Sequence, residues 1–66
     1  MTIQLNGQAH PLENETTLTA LLESLGLGGK PVVVEHNREA IRPADFSTTP
    51  VKSGDQLEIV TLAAGG

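Results

Sequence analysis

Thr17-Leu18-Thr19-Ala20-Leu21-Leu22-Glu23-Ser24-Leu25-Gly26 carries the signals of a helix start, a helix face and a helix stop in one short run. Thr17 suits an N-cap, because its hydroxyl can accept one of the unpaired N–H groups of the first turn. Leu18, Leu21, Leu22 and Leu25 recur at i, i+3, i+4 and i+7, which aligns them on one apolar stripe. Thr19, Glu23 and Ser24 fall elsewhere. Gly26 stands where a left-handed residue ends a helix. The rest of the chain must therefore supply a surface for this stripe to cover.

Upstream, Ile3 and Leu5 alternate with Thr2 and Gln4, the period of a half-buried strand. Asn6-Gly7 follows, a strong hairpin signal because a type I′ turn needs positive φ at both central residues. Gln8 to Leu12 is expected to return antiparallel, with Pro11 limiting its pairing. Downstream, Gly28 to Pro31 reads as a loop and Val32-Val33-Val34 as a strand. The chain turns around Asn37-Arg38-Glu39, and Ala40-Ile41 forms a short returning strand stopped by Pro43. Asp45-Phe46-Ser47 reads as a turn or a piece of 3₁₀ helix with Phe46 buried beneath it. Val51 to Asp55 reads as a tight connection. Leu57, Ile59 and Thr61 alternate with Gln56, Glu58 and Val60 in a last strand. The expected order is β-β-α-β-β-β, an α+β domain in which one helix packs across a mixed sheet whose first and last strands are central. A domain over residues 1–62 and a flexible tail over 63–66 complete the division.

Sixty-six residues leave room for one small core. A composition of 38% hydrophobic and 18% charged residues fits a folded chain, and Phe46 is the only aromatic. The absence of cysteine removes disulfides, thiolate metal sites and a catalytic thiol, and suits a reducing cytoplasm. Thr2, Gln4 and Asn6 interrupt the first apolar residues, unlike an export signal. No apolar run approaches the roughly 20 residues that span a bilayer. A soluble, cytoplasmic protein with no membrane partner is expected. The formal charge is −4, and only Lys30, Arg38, Arg42 and Lys52 are positive. Nucleic-acid binding depends on clustered cations that neutralise phosphates. These four are scattered, so a basic protein partner is the better expectation.

Gly26-Leu27-Gly28-Gly29-Lys30 invites comparison with a phosphate-binding loop. The spacing between glycines is wrong, Pro31 follows the lysine where Ser or Thr is required, and the run leaves a helix for a strand. It reads as a helix cap and loop. His10 and His36, the only histidines, match no metal-ligand spacing, and Glu35 and Glu39 bracket a turn as solvated charges. No acid–base or metal site is expected, and no cofactor bound by this chain.

Leu62-Ala63-Ala64-Gly65-Gly66 differs from all of these. From Ala63 onward every side chain is a methyl or absent. Such a segment can thread a channel in which larger side chains would collide, and glycine admits dihedrals closed to other residues. Ala63 to Gly66 reach about 13–14 Å when extended, enough to place a carboxylate deep in another protein. Strand alternation sets Glu58, Val60 and, if the strand continues, Leu62 on the sheet face turned away from Leu57 and Ile59. That face, with Ala63, Ala64 and Gly65, is the expected partner surface, and Gly66 the expected site of chemistry.

With these segments in view the sequence resembles the ubiquitin-like β-grasp sulfur carriers, and most closely the thiamine-biosynthesis carrier family, ThiS. The resemblance covers the whole chain. It rests on Thr17-Leu18 with Leu21-Leu22, on Val34 to Asn37 leading into Ile41 and Pro43, and on Phe46. It rests also on Val51-Lys52-Ser53-Gly54-Asp55-Gln56-Leu57-Glu58-Ile59-Val60 and on Gly65-Gly66. Family members often show Asn-Gly where this chain has Asn37-Arg38, which leaves that turn's type open. The family implies a co-substrate protein and not an enzyme. An E1-like adenylyltransferase, ThiF-like, would use ATP to adenylate Gly66. A sulfur donor such as a cysteine desulfurase would supply a persulfide that converts it to a thiocarboxylate. A thiazole synthase, ThiG-like, would take the sulfur.

Three other readings share parts of this pattern. The small subunit of molybdopterin synthase resembles the chain in fold, tail and chemistry and differs in its acceptor, as do sulfur carriers for other metabolites. A ubiquitin-like modifier would instead join Gly66 to lysines of target proteins. A plain interaction domain would use the sheet face alone.

Overall fold

The computed structural model describes residues 1–62. Strands β1 (Thr2–Leu5) and β2 (Gln8–Pro11) pair antiparallel, with Thr2 opposite Pro11 and Leu5 opposite Gln8. Asn6 and Gly7 join them with φ of 51° and 81°, the left-handed pair that a type I′ turn requires. A two-residue strand, β3 (Thr16–Thr17), leads into α1 (Leu18–Ser24). The Ala20 N–H donates to Thr17 Oγ1 at 3.2 Å, the expected N-cap. At the other end the Leu27 N–H donates to the Leu22 carbonyl and the Gly26 N–H to the Glu23 carbonyl. This pair is a Schellman motif, made possible by Gly26 at φ 78°.

After the loop come β4 (Val32–His36) and β5 (Glu39–Ile41), an antiparallel hairpin in which His36 lies opposite Glu39. Its turn residues, Asn37 and Arg38, have φ of 52° and 71°. The turn is therefore the same left-handed pair without a glycine, which settles the question left by Asn37-Arg38. Arg38 adopts this conformation at a cost of about 1–2 kcal/mol. Asn37 helps to hold it: its backbone N–H donates to the Gln56 carbonyl, and its Oδ1 accepts the Gln56 N–H at 2.8 Å.

A 3₁₀ helix (Pro43–Thr48) follows, then β6 (Pro50–Val51) and β7 (Gln56–Thr61). The main sheet has the order β2-β1-β7-β4-β5. β7 runs parallel to β1 and antiparallel to β4, so the first and last strands lie inside the sheet as expected. β3 and β6 form a separate two-stranded sheet, with Thr16 opposite Val51.

Helix α1 covers one face. The core comprises Ile3, Leu18, Leu21, Leu22, Val32, Val34, Val51, Leu57 and Ile59, with Leu5, Leu25 and Phe46 partly buried against it. Two expectations need correction. Val51 is not part of the tight connection but lies in β6, and its side chain is fully buried. Phe46 is half-buried: from the short 3₁₀ helix it packs against the core cluster without being enclosed by it. No helix among the described residues is long and apolar enough to cross a membrane.

Candidate functional site

β7 is the strand that leads to the tail, and its two sides have opposite characters. Leu57 and Ile59 face α1, whereas Glu58 and Val60 are exposed on the open face of the sheet. The antiparallel register with β4 places Val60 opposite Val33 and Glu58 opposite Glu35. Val33 and Val60 are 47% and 58% exposed, too much for core residues of a five-stranded sheet. The open face thus joins an apolar cross-strand pair to two adjacent carboxylates. Like charges placed opposite one another are unfavourable in the free protein, and a cationic group from outside would relieve them. Val33 and Glu35 were missed in the sequence, although the same alternation that identifies Val60 places them outward on β4.

Leu62, expected on the same face only if the strand continued, lies just beyond it. β7 ends at Thr61, and the Leu62 N–H donates to the Pro31 carbonyl at 3.0 Å. Leu62 is 51% exposed and borders a cleft on the helix side of the sheet. That cleft has a volume of about 540 Å³. Leu22, Leu27, Val32 and Phe46 form its apolar wall, and Thr19, the loop from Gly28 to Pro31 and Pro43 complete it. Its lining contains no carboxylate and no imidazole, so it offers no acid–base pair.

At the other end of β7, His36 Nε2 lies 2.8 Å from Asp55 Oδ2. Asp55 also accepts the Lys52 N–H on Oδ2 and an Asn37 amide N–H on Oδ1. Burial pushes the Asp55 carboxyl up, but the Lys52 N–H, His36 and Asn37 outweigh it and hold the carboxyl below its ordinary value of 3.8. Each acceptor atom is occupied by a neighbour in the fold, so this cluster ties the Lys52–Asp55 turn to the β4–β5 hairpin. Among the described residues no group of three or more His, Asp or Glu could hold a metal ion.

Ala63, Ala64, Gly65 and Gly66, the expected tether and site of chemistry, lie outside the described residues. So does the expected mobility of that tail.

Comparison with known proteins adds to this geometry. Residues 3–66 match the ThiS family. The chain is 39% identical over 64 residues to the sulfur carrier protein ThiS of Thermus thermophilus, covering 97% of this chain and 98% of that one. It is 36% identical over 66 residues to a thiazole synthase of Magnetococcus marinus and 35% identical to one of Paramagnetospirillum magneticum. The chain spans only 20% of the length of each synthase. Among solved structures, the thiamine biosynthesis protein ThiS of Geobacter metallireducens superposes with a TM-score of 0.85 at 30% identity, over 100% of both chains.

Proposed function

Since the chain belongs to the ThiS family, we propose that it is a sulfur carrier of thiamine biosynthesis whose working group is the carboxylate of Gly66. The observation that carries this reading is the family match, which runs through Gly66, together with likeness to the Thermus carrier along nearly its whole length.

A carboxylate is a poor electrophile because its leaving group would be oxide. In the proposed scheme an E1-like enzyme transfers AMP from ATP to Gly66 and releases pyrophosphate. The acyl adenylate then reacts with a persulfide from a donor such as a cysteine desulfurase: the terminal sulfur bonds to the acyl carbon, and AMP leaves. Reduction of the resulting acyl disulfide by a thiol releases the thiocarboxylate. Its sulfur is the nucleophile that a thiazole synthase consumes. The chain acts throughout as a co-substrate and not as an enzyme, and ATP is bound by the partner. We place the cycle in the cytoplasm, where ATP is available.

Two features support the division of labour. The apolar and acidic face around Val60, Val33, Glu58 and Glu35 suits an activating enzyme that presents apolar and basic groups. The two thiazole synthases that contain a segment similar to this whole chain support a synthase as the acceptor. The test is intact-protein mass spectrometry after incubation with ATP, an activating enzyme, a cysteine desulfurase and cysteine. Replacement of one oxygen by sulfur is expected. High-mass conjugates would make the chain a protein modifier, and an unchanged mass would leave it an interaction domain.

A further inference from the structure

The cleft on the helix side has no role in the sulfur chemistry, yet it opens at the root of the tail. Leu62, half exposed and held by its bond to the Pro31 carbonyl, is one of the residues that line it. Leu22, Leu27, Val32 and the only aromatic ring of the chain, Phe46, are others. A volume of about 540 Å³ is within the range of sites that hold a ligand or an anchoring side chain. Leaving such an apolar wall in water is unfavourable, and covering it is a source of affinity.

The length of the tail limits how far from the cleft a partner can stand. Four residues, 63–66, extend at most about 13–14 Å beyond Leu62. An enzyme that draws Gly66 to its reacting atoms therefore brings the rim of its channel close to Leu62, against the cleft or against the open sheet face. The tail offers only the methyl groups of Ala63 and Ala64, too little volume to occupy the space itself. We propose that the cleft receives an apolar side chain, of leucine or phenylalanine size, from the thiazole synthase that accepts the sulfur. This rests on the sulfur-carrier reading. The synthase is preferred to the activating enzyme because two thiazole synthases carry a segment similar to this whole chain within one polypeptide. The open sheet face, on the other side of the sheet, then stays available for activation.

Thr19→Trp tests the assignment. Thr19 is exposed on α1 and borders the cleft, so an indole there fills the space without entering the core. Titration calorimetry with thiazole synthase should show affinity reduced by about tenfold or more, the usual result of blocking a central anchor pocket. In the unmodified protein, methyl resonances of Leu22, Leu27, Val32 and Leu62 should shift on addition of the synthase. Those shifts decide the matter even if the variant fails to fold. Unchanged affinity with unshifted methyls overturns the inference. So does a loss of affinity for the activating enzyme alone, or methyl shifts produced in the free protein by removing residues 63–66. If the native chain acquires no sulfur in the mass assay, the function has failed instead, an outcome read separately from either binding measurement.

Discussion

Asn6 and Ile59 are joined twice: Asn6 Oδ1 accepts the Ile59 N–H at 2.8 Å, and Asn6 Nδ2 donates to the Ile59 carbonyl at 3.2 Å. The parallel register of β1 and β7 reaches Leu5 opposite Leu57. Beyond it the main chain of β1 turns away, and the Asn6 amide takes the place of the next peptide unit. The same residue supplies the positive φ that opens the β1–β2 turn. Asn6→Gly separates these roles, since glycine adopts that φ without strain but carries no amide. Two backbone groups of β7 lose their partners, and stability should fall by about 1–3 kcal/mol. Urea denaturation measures it, and a change under about 0.5 kcal/mol would show that water replaces the amide freely.

The sequence made the elements with a period legible. Both hairpin turns, the capped helix and the outward row of β7 follow from local patterns that the fold leaves intact. The β3–β6 pair was not legible. Strands of two residues have no period, and their partners lie at distant points in the chain, so Val51 looked like part of a connection. The side taken by Leu62 was left conditional on the strand continuing, because alternation predicts a side only within a ladder, and β7 ends at Thr61. The cleft was hidden because its wall is assembled from the helix, the loop, β4, the 3₁₀ helix and the first residue after β7. No single segment announces it.

Leu22 belongs both to the core and to the wall of the cleft, and it is 4% exposed. Leu22→Ala removes three carbons from a site backed by a rigid sheet, and should cost about 2–5 kcal/mol. For so small a domain that is a large part of the total stability. Thermal and chemical denaturation should agree on the loss. A cost below about 1 kcal/mol would mean that the neighbouring side chains collapse into the space.

Asp55 gives stability a defined dependence on pH. Its carboxyl is held below 3.8 in the folded chain, so between the folded value and 3.8 the unfolded chain binds more protons. Stability therefore rises with pH across that window, is fully present above it, and is lost as pH falls through the folded value. Asp55→Asn should lower stability at neutral pH and reduce the difference from the native protein as pH drops below 3.8. Denaturation curves collected from pH 2 to 7 at about 0.15 M salt compare the two. Parallel curves for the two proteins would show that the carboxylate's contacts add nothing net.

Val60→Asp addresses the open face. Val60 is more than half exposed and contacts no core layer, so the variant should keep its fold and its melting temperature within a few degrees. It adds a third carboxylate beside Glu58 and Glu35 and places a charge in an apolar contact. Affinity for the activating enzyme should fall by about tenfold or more, read by titration calorimetry. Equal affinity for variant and native chain would move the activating enzyme to another surface.

The position of the Gly66 carboxylate is the most exacting requirement of the proposed chemistry. One residue added after Gly66 buries the old carboxylate in a peptide bond and carries the new one past the adenylating centre. Removing Gly66 leaves the carboxylate on Gly65, about 3.5 Å short along an extended chain, whereas reacting atoms must be placed to well within that distance. Neither change touches the core, which is built from Ile3 to Ile59. Neither alters Val33, Glu35, Glu58 or Val60. Both variants should fold, bind the activating enzyme through the open face and remain unthiolated in the mass assay. Binding without thiolation is the decisive combination, because it separates a misplaced carboxylate from a lost interface. Thiolation of the extended chain at the native rate would remove Gly66 from the chemistry and the sulfur-carrier proposal with it.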